Sequence, residues 1–194
     1  MPLPRFSQRS AVRTSLMSAL PFVGFLAWGP AQALNLEAQS MDIEMHKVSA
    51  DGVGESIGTI TVRDHEEGVL FEPDLEGLDT GLHGFHLHQN PDCKPAEKDG
   101  EMTAAASAGG HLNPSNGEHH GPFEEGHLGD LPTLYFDDSG KATLPVLAPR
   151  LEYSDLDGRA LVIHAGGDNY ASEPEPLGGG GARVACGVID NGDD

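Results

Sequence analysis

The sequence predicts an all-β fold, an eight-stranded Greek-key β-barrel or sandwich with two long functional loops. Short segments alternate apolar and polar residues, turn-rich pieces separate them, and no stretch keeps a helical apolar period over three turns. Eight short strands of this kind are typical of sandwiches and Greek-key barrels. Met41, Ile43 and Met45 share one face of the first strand. The other candidate strands cover residues 57–63, 68–72, 83–88, 133–136, 142–146, 160–165 and 185–189.

Two long segments interrupt these strands, at residues 89–130 and 166–183. Both are rich in glycine, proline, asparagine and aspartate, and both exceed the usual connection length of roughly 4–6 residues. Loops of that length are typically functional or disordered. The first contains several candidate metal ligands, which favours a functional loop.

The N-terminus has the pattern of a secretory signal peptide. Three arginines precede an apolar stretch at residues 16–28, and Ala31-Gln32-Ala33 follows as a small-x-small cleavage pattern. The stretch is shorter than the roughly 20 residues that a membrane-spanning helix needs, which weighs against the alternative of an uncleaved anchor. We expect residues 1–33 to be removed and residues 34–194 to form one exported domain.

The chain carries 31 acidic and 11 basic residues, a formal net charge of −20. So acidic a protein is expected to avoid nucleic acid and, once its leader is removed, anionic membrane surfaces. An anionic substrate would need positive charge concentrated at the site, because the chain as a whole repels it. The two cysteines, Cys93 and Cys186, favour a disulfide over two free thiols in an oxidising compartment.

The segment Phe85-His86-Leu87-His88 places two histidines on one side of a strand. His86 and His88 project together and form a two-point metal clamp, although such a pair alone also occurs on many surface strands. His83 falls on the same face of the strand as Phe85 and Leu87, opposite to His86 and His88, so we expect it to be a hydrogen-bonded core histidine.

A second set of donors follows in the first long loop. His111, His119, His127 and Asp130 include an HxxD ending that can close a tetrahedral zinc site of three imidazoles and one carboxylate. The alternative is a group of solvated loop histidines, which leaves a long loop without an ordering device. His164 stands apart in an apolar strand, where a histidine without a partner would be costly to bury.

Several motifs together carry a family resemblance over residues 40–190. They are Gly84-Phe85-His86-Leu87-His88, Ala108-Gly109-Gly110-His111-Leu112-Asn113-Pro114, His127-Leu128-Gly129-Asp130-Leu131-Pro132, the glycine run 178–181, and Ala185-Cys186-Gly187-Val188-Ile189. In these motifs the chain resembles the bacterial type of copper/zinc superoxide dismutase.

The resemblance implies one copper and one zinc per subunit, with His111 shared between them. The copper ligands it implies are His86, His88, His111 and His164. The zinc ligands it implies are His111, His119, His127 and Asp130. His120 is a rival for His119, and the family's ligand position before x-Gly-Pro favours His119. One imidazole can bind both metals through its two ring nitrogens, since imidazole suits both ions.

Further roles follow from the same resemblance. Asp168 would accept hydrogen bonds from one copper histidine and one zinc histidine, and it also has the setting of a turn residue. Arg183 would guide the anion to copper, and a Cys93–Cys186 disulfide would pin the first long loop to the strand of Arg183. Where the family commonly has a lysine near the glycine run, this chain has Glu173 and Glu175. Lys94 and Lys98 are then the remaining basic candidates for drawing the substrate inward, or they are ordinary solvated lysines.

The activity that the resemblance implies is dismutation of superoxide to dioxygen and hydrogen peroxide. A redox-cycling copper would be bridged through His111 to a structural zinc, with His111 and Arg183 as catalytic residues. The leader and the resemblance together predict a periplasmic antioxidant enzyme, as a monomer or a homodimer. The alternatives are an exported protein that stores or delivers copper or zinc on the same fold, which would not need Arg183, and a purely structural adhesion-type sandwich.

Overall fold

A computed structural model describes residues 39–190 of the chain. The expected leader at residues 1–33 lies outside this range. The described residues form strands, loops and three short 3₁₀ turns, with no α-helix among them. The strands are β1 (Ser40–Ser49), β2 (Gly52–His65), β3 (Gly68–Glu76), β4 (Gly81–His83), β5 (Phe85–His88), β6 (Ala96–Lys98), β7 (Glu101–Thr103), β8 (Leu134–Phe136), β9 (Lys141–Ala142), β10 (Val146–Ala148), β11 (Arg159–His164) and β12 (Arg183–Ile189).

Eight of these strands form one curled antiparallel sheet, which confirms the predicted all-β fold. Its order is β10, β3, β2, β1, β12, β11 and β5, and β9 adds to β3. The last strand therefore pairs with the first, with His46 opposite Cys186. Two further pairs, β4 with β8 and β6 with β7, lie outside this sheet.

Alternating residues of the long strands fill the hollow of the curled sheet. Ile43 and Met45 on β1 are buried, as the predicted alternation requires. The largest buried side chains include Phe71, Phe85 and Phe136, and the Phe71 and Phe85 rings meet edge to face at 5.4 Å. Burying this apolar surface is the main stabilising contribution, at roughly 25 cal/mol per Å².

The candidate strand at residues 142–146 is wrong as one element. Ala142 ends β9 opposite Leu75, and Val146 begins β10 opposite Phe71. Between them Pro145 has no backbone N–H to give to the ladder, and Leu144 is exposed.

The candidate strand at residues 83–88 changes partners at Gly84. His83 belongs to β4 and pairs with β8, whereas the next four residues form β5 beside β11. Gly84 joins both, because its N–H donates to Gly166 and its carbonyl accepts from the N–H of His164. His83 is buried with its ring nitrogens near the carbonyls of His164 and Asp79, at 2.6 and 2.9 Å, as expected of a hydrogen-bonded core histidine.

The first long loop contains more structure than its composition predicts. It carries the β6–β7 hairpin, in which Lys98 pairs with Glu101, and a 3₁₀ turn at Ala106–Ala108.

Within residues 39–190, no helix is long and apolar enough to cross a membrane.

Candidate metal centre

The edge strand β5 brings the first two histidines together with the loop that carries the others. His86 and His88 are fully buried on β5. On the free side of β5, backbone bridges pair His86 with Asp130 and His88 with His111. Donors that are far apart in sequence are therefore placed side by side along one strand.

A glycine allows the loop to approach this strand. The N–H of Leu87 donates to the carbonyl of Gly129 at 2.9 Å, and the N–H of Leu112 donates to the carbonyl of Leu87 at 2.8 Å. A Cβ on Gly129 would lie 2.2 Å from the Leu87 oxygen, so no larger residue fits there.

Four buried histidines form the first ligand group. One ring nitrogen from each of His86, His88, His111 and His164 lies within 4.8 Å of the others. His164 comes from the end of β11, and the His111 ring stacks on that of His86 with a centroid separation of 3.8 Å. Four converging imidazoles suit copper or zinc rather than a hard cation.

The second ligand group, His111, His119, His127 and Asp130, shares His111 with the first. Asp130 Oδ1 lies 2.8 Å from His111 Nδ1 and 3.2 Å from His127 Nδ1. Asp130 Oδ2 lies 2.9 Å from His119 Nδ1. Because Nδ1 of His111 faces this second group, its Nε2 is left for the first.

The structure separates the two neighbouring histidines that the sequence left in competition. His119 is buried in the second ligand group. His120 is exposed, and its nearest carboxylate is Glu118 at 3.8 Å. Only His119 is placed to act as a ligand.

In His86, His88, His119 and His164 a hydrogen bond engages one ring nitrogen outside the ligand groups and leaves the other for a metal. Nδ1 of His88 donates to the Gly109 carbonyl at 3.0 Å, and Nδ1 of His164 donates to the Gly181 carbonyl at 3.1 Å. The opposite atoms have no hydrogen-bond partner although they are buried. These atoms are His86 Nδ1, His88 Nε2 and His164 Nε2, whereas His119 Nδ1 and Asp130 Oδ2 face each other at 2.9 Å.

Buried polar atoms without partners are costly, and among the described residues all of them except Arg159 Nε belong to the two ligand groups. The donor set is therefore complementary to two metal ions that accept nitrogen and oxygen. The two carbonyl acceptors, from Gly109 and Gly181, were not predicted, because a backbone oxygen carries no residue-type signal.

Electrostatics favour the ligating form of the first group. Burial lowers the pKa of His86 to about 3 and that of His164 to about 4, so both imidazoles are neutral at physiological pH. Burial opposes protonation of His119 as well, but Asp130 and Asp168 outweigh it and raise the pKa of His119 to about 9. Burial likewise opposes ionisation of Asp130, yet hydrogen bonds from His111 and His119 hold its pKa well below the ordinary value.

Asp168 connects the two groups from behind. Its Oδ2 accepts from Nε2 of His86 and its Oδ1 from Nε2 of His119, both at 2.8 Å. Oδ1 also accepts the N–H of Tyr170 at 2.7 Å, which is the turn contact expected from the sequence. The Asp168 side chain is fully buried, so one carboxylate fixes the orientation of a ring in each group.

The glycine run at residues 178–181 packs directly on this carboxylate. A Cβ on Gly178 would lie 1.8 Å from Asp168 Oδ1 and 2.8 Å from His119 Nε2, and the φ of Gly178 is +71°. The sequence showed the run but not its purpose, which is close approach to Asp168.

Gly178→Ala is therefore expected to displace Asp168 and to weaken metal binding by about 10- to 100-fold, the usual effect of losing such a partner. Competition with a chelator of known affinity measures this loss. Gly158→Ala is the matched control, because Gly158 has a similar φ of +64° but open space around it. A metal affinity in Gly178→Ala no lower than that in Gly158→Ala would contradict the role of this contact with Asp168.

A cavity of about 420 Å³ leads to the first ligand group. His111, His164 and Arg183 line it. Arg183 is held by two carbonyls of the first long loop, Ala105 at 2.5 Å from Nη1 and Gly109 at 2.6 Å from Nη2. Burial lowers the pKa of Arg183 from its very high ordinary value, but a guanidinium remains charged. Each nitrogen keeps a further N–H for a small anion.

The two candidate lysines lie in different places. Lys98, on β6, lines the same cavity as Arg183. Lys94 lies 3.7 Å from Asp92 on another part of the surface, beside the cysteines. Lys98 is therefore the one placed to act on an entering anion.

A disulfide joins Cys93 to Cys186, as the resemblance implied. It ties the first long loop to β12, the strand that begins at Arg183. A cross-link over about 90 residues contributes roughly 4 to 5 kcal/mol in the chain-entropy account of its effect.

Comparison with known proteins agrees with this geometry. Residues 56–189 match the family described as "Copper/zinc superoxide dismutase (SODC)". The chain is 52% identical over 159 residues to Superoxide dismutase [Cu-Zn] of Escherichia coli strain K12, covering 81% of this chain and 92% of that protein.

Two solved structures show the same fold. The Cu/Zn superoxide dismutase from Brucella abortus superposes with a TM-score of 0.77 at 45% identity, covering 78% of this chain and 100% of that one. The monomeric copper, zinc superoxide dismutase from Salmonella enterica gives 0.71 at 53% identity, with the same coverage. The chain therefore belongs to the copper/zinc superoxide dismutase family.

Proposed function

We propose that this chain dismutates superoxide to dioxygen and hydrogen peroxide, with copper in the first ligand group and zinc in the second. The observation that carries the proposal is the shared His111 between two groups whose unpartnered buried atoms fit two metals. When bound, copper supplies one-electron redox cycling and zinc, which has no accessible redox change, supplies a fixed positive charge.

The residues divide the work on the substrate. Arg183 binds and orients the anion beside the first ligand group, since its guanidinium is fixed by two carbonyls and still faces the cavity. His111 takes up and releases a proton at Nε2, because its Nδ1 is engaged by Asp130. Formation of peroxide needs two protons, and His111 lines the cavity where one of them is required. A protein that only stores metal would not need a guanidinium in this position.

The direct test is a superoxide assay on the purified protein loaded with both metals. We expect superoxide loss well above that caused by an equal concentration of free copper. Activity no higher than the free-copper control would contradict the proposal.

Lys98 supplies the second positive charge that draws superoxide into the cavity. Steering of the anion by charge is an established property of this family, and focusing of this kind changes association rates by roughly 10- to 1,000-fold. Lys98 is exposed, so the expected effect of Lys98→Gln is at or below the lower limit of this range, a fall of about two- to tenfold in kcat/KM at low salt.

Lys94→Gln is the matched control, since Lys94 lies outside the cavity beside Asp92. Stopped-flow measurement of kcat/KM across ionic strengths separates the two. An equal effect of both substitutions would mean that only the net charge of the protein matters.

We further propose that residues 1–33 are a signal peptide and that residues 34–194 act as one domain in the periplasm. Support comes from the charge and apolar pattern of the leader and from bacterial relatives. The mass of the mature protein recovered from a periplasmic fraction tests this. A mature chain that still contains residues 1–33 would contradict it.

A further inference from the structure

Arg150 lies just after β10 and belongs to neither ligand group. Its guanidinium donates to three backbone carbonyls: Nη1 to those of Gly121 at 3.4 Å and His127 at 3.2 Å, and Nη2 to that of Gly126 at 3.0 Å. All three acceptors belong to the ligand loop, residues 113–130. One side chain from the turn after β10 therefore holds this loop at three separate points.

The ligand loop has little regular structure of its own. Its residues form turns and bends, and the N–H of His127 donates to the carbonyl of Glu118 at 3.1 Å across the loop. Buried carbonyls need partners, and in an irregular loop neighbouring strands do not supply them. Arg150 supplies them at the ligand His127 itself, at the residue before it, and at Gly121, two residues after the ligand His119.

Gly121 is also fixed from its other side. A Cβ on Gly121 would lie 2.7 Å from the ring of Tyr170, so the ring packs directly on its backbone. The hydroxyl of Tyr170 accepts a hydrogen bond from the N–H of Thr133 at 3.0 Å, and the backbone N–H of Tyr170 donates to the Asp168 carboxylate. The loop is thus held between Arg150 and Tyr170, and the latter contacts the carboxylate behind both ligand groups.

We propose that Arg150 is a positioning residue that presets the spacing of His119 and His127 and thereby raises the affinity of the second ligand group for zinc. This inference rests on the proposed function, because it takes zinc as the occupant of that group. An arginine is required because a planar guanidinium spans several acceptors in fixed directions, whereas a lysine ammonium is a compact point charge.

Arg150→Lys keeps the charge and loses this span. We expect its zinc affinity to fall about 10- to 100-fold, as for other groups that orient ligands, while its copper affinity changes less than about twofold. Cobalt(II) bound in place of zinc should show an altered visible absorption spectrum, which reports the ligand geometry directly. Arg63→Lys is the matched control, because Arg63 pairs with Glu72 on the exposed face of β2 and β3.

Unchanged zinc affinity and an unchanged cobalt spectrum in Arg150→Lys would overturn the inference. An equal loss of zinc and copper affinity, together with a lowered melting temperature, would also overturn it, because the role would then be general stability. Failure of the unsubstituted protein to bind zinc would instead contradict the proposed function.

Hydrogen exchange of the unsubstituted, metal-free protein tests the preset loop even if the variant does not fold. We expect the His127 amide, which donates to the carbonyl of Glu118, to be protected from exchange without zinc. Exchange at the rate of an unstructured peptide would contradict it.

Discussion

Asp168→Asn is expected to weaken binding of both metals by about 10- to 100-fold. The carboxylate accepts a hydrogen bond from His86 of the first ligand group and another from His119 of the second. An asparagine side chain has one acceptor oxygen, and its NH₂ group cannot accept from the second ring. At least one histidine then loses the partner that keeps its metal-binding nitrogen free and correctly aimed.

Metal competition titrations for copper and zinc measure this loss separately. The Asp168 side chain is fully buried, and burial alone would raise its pKa. Hydrogen bonds from His119 and His86 outweigh burial and hold the pKa of Asp168 below its ordinary value. The carboxylate is therefore ionised when the titrations are done near neutral pH. Asp51→Asn, in the exposed turn between β1 and β2, is the control for removal of one negative charge. If both affinities stay unchanged in Asp168→Asn, the carboxylate is only a turn residue.

Arg183→Ala is expected to retain both metals and to lower kcat/KM about 10-fold or more. The guanidinium lines the cavity beside His111 and His164, and concentrated positive charge there opposes the strongly negative field of the chain. Arg183→Lys should recover part of the activity, because it keeps the charge but not the paired donors. The gap between the alanine and lysine variants measures the contribution of charge alone.

The measurement must separate catalysis from damage to the site. Arg183 and His88 both donate to the Gly109 carbonyl, so loss of the guanidinium could shift a ligand. The copper electron paramagnetic resonance spectrum detects such a shift. Unchanged kcat/KM in a variant that keeps its copper would show that Arg183 does not act on the substrate, and loss of bound copper would contradict the expected metal retention.

The sequence predicted much of the fold because alternation along strands is a local signal. It predicted that Ile43 and Met45 share a face of the first strand, and both are buried in the core. It also predicted that His86 and His88, two residues apart, project from the same face of their strand. It failed at residues 142–146, where apolar character continues but Pro145 cannot join the ladder. It also could not show that β5 is an edge strand whose free side is completed by His111 and Asp130, because that pairing is non-local.

The candidate site was predictable where ligand chemistry restricts the residue type. Histidines and aspartate carry a signal, and the structure gathers every predicted ligand into the two groups. Contacts made through backbone atoms carry no such residue-type signal. The carbonyls that hold Arg183, and those that accept from Arg150, could come from any residue, so neither arginine's partners could be read from sequence. The sequence did not distinguish Lys94 from Lys98 as the lysine near the cavity. The β6–β7 hairpin, which carries Lys98, places only that one of the two beside Arg183.

Anomalous diffraction at the copper and zinc absorption edges, from crystals of the loaded protein, tests most directly whether one imidazole joins two different metals. We expect copper bound by Nδ1 of His86 and by Nε2 of His88 and His164. We expect zinc among His119, His127 and Asp130, with Nδ1 of His111 on zinc and its Nε2 on copper. A His111 that binds a single metal, or zinc held by His120, would contradict this arrangement.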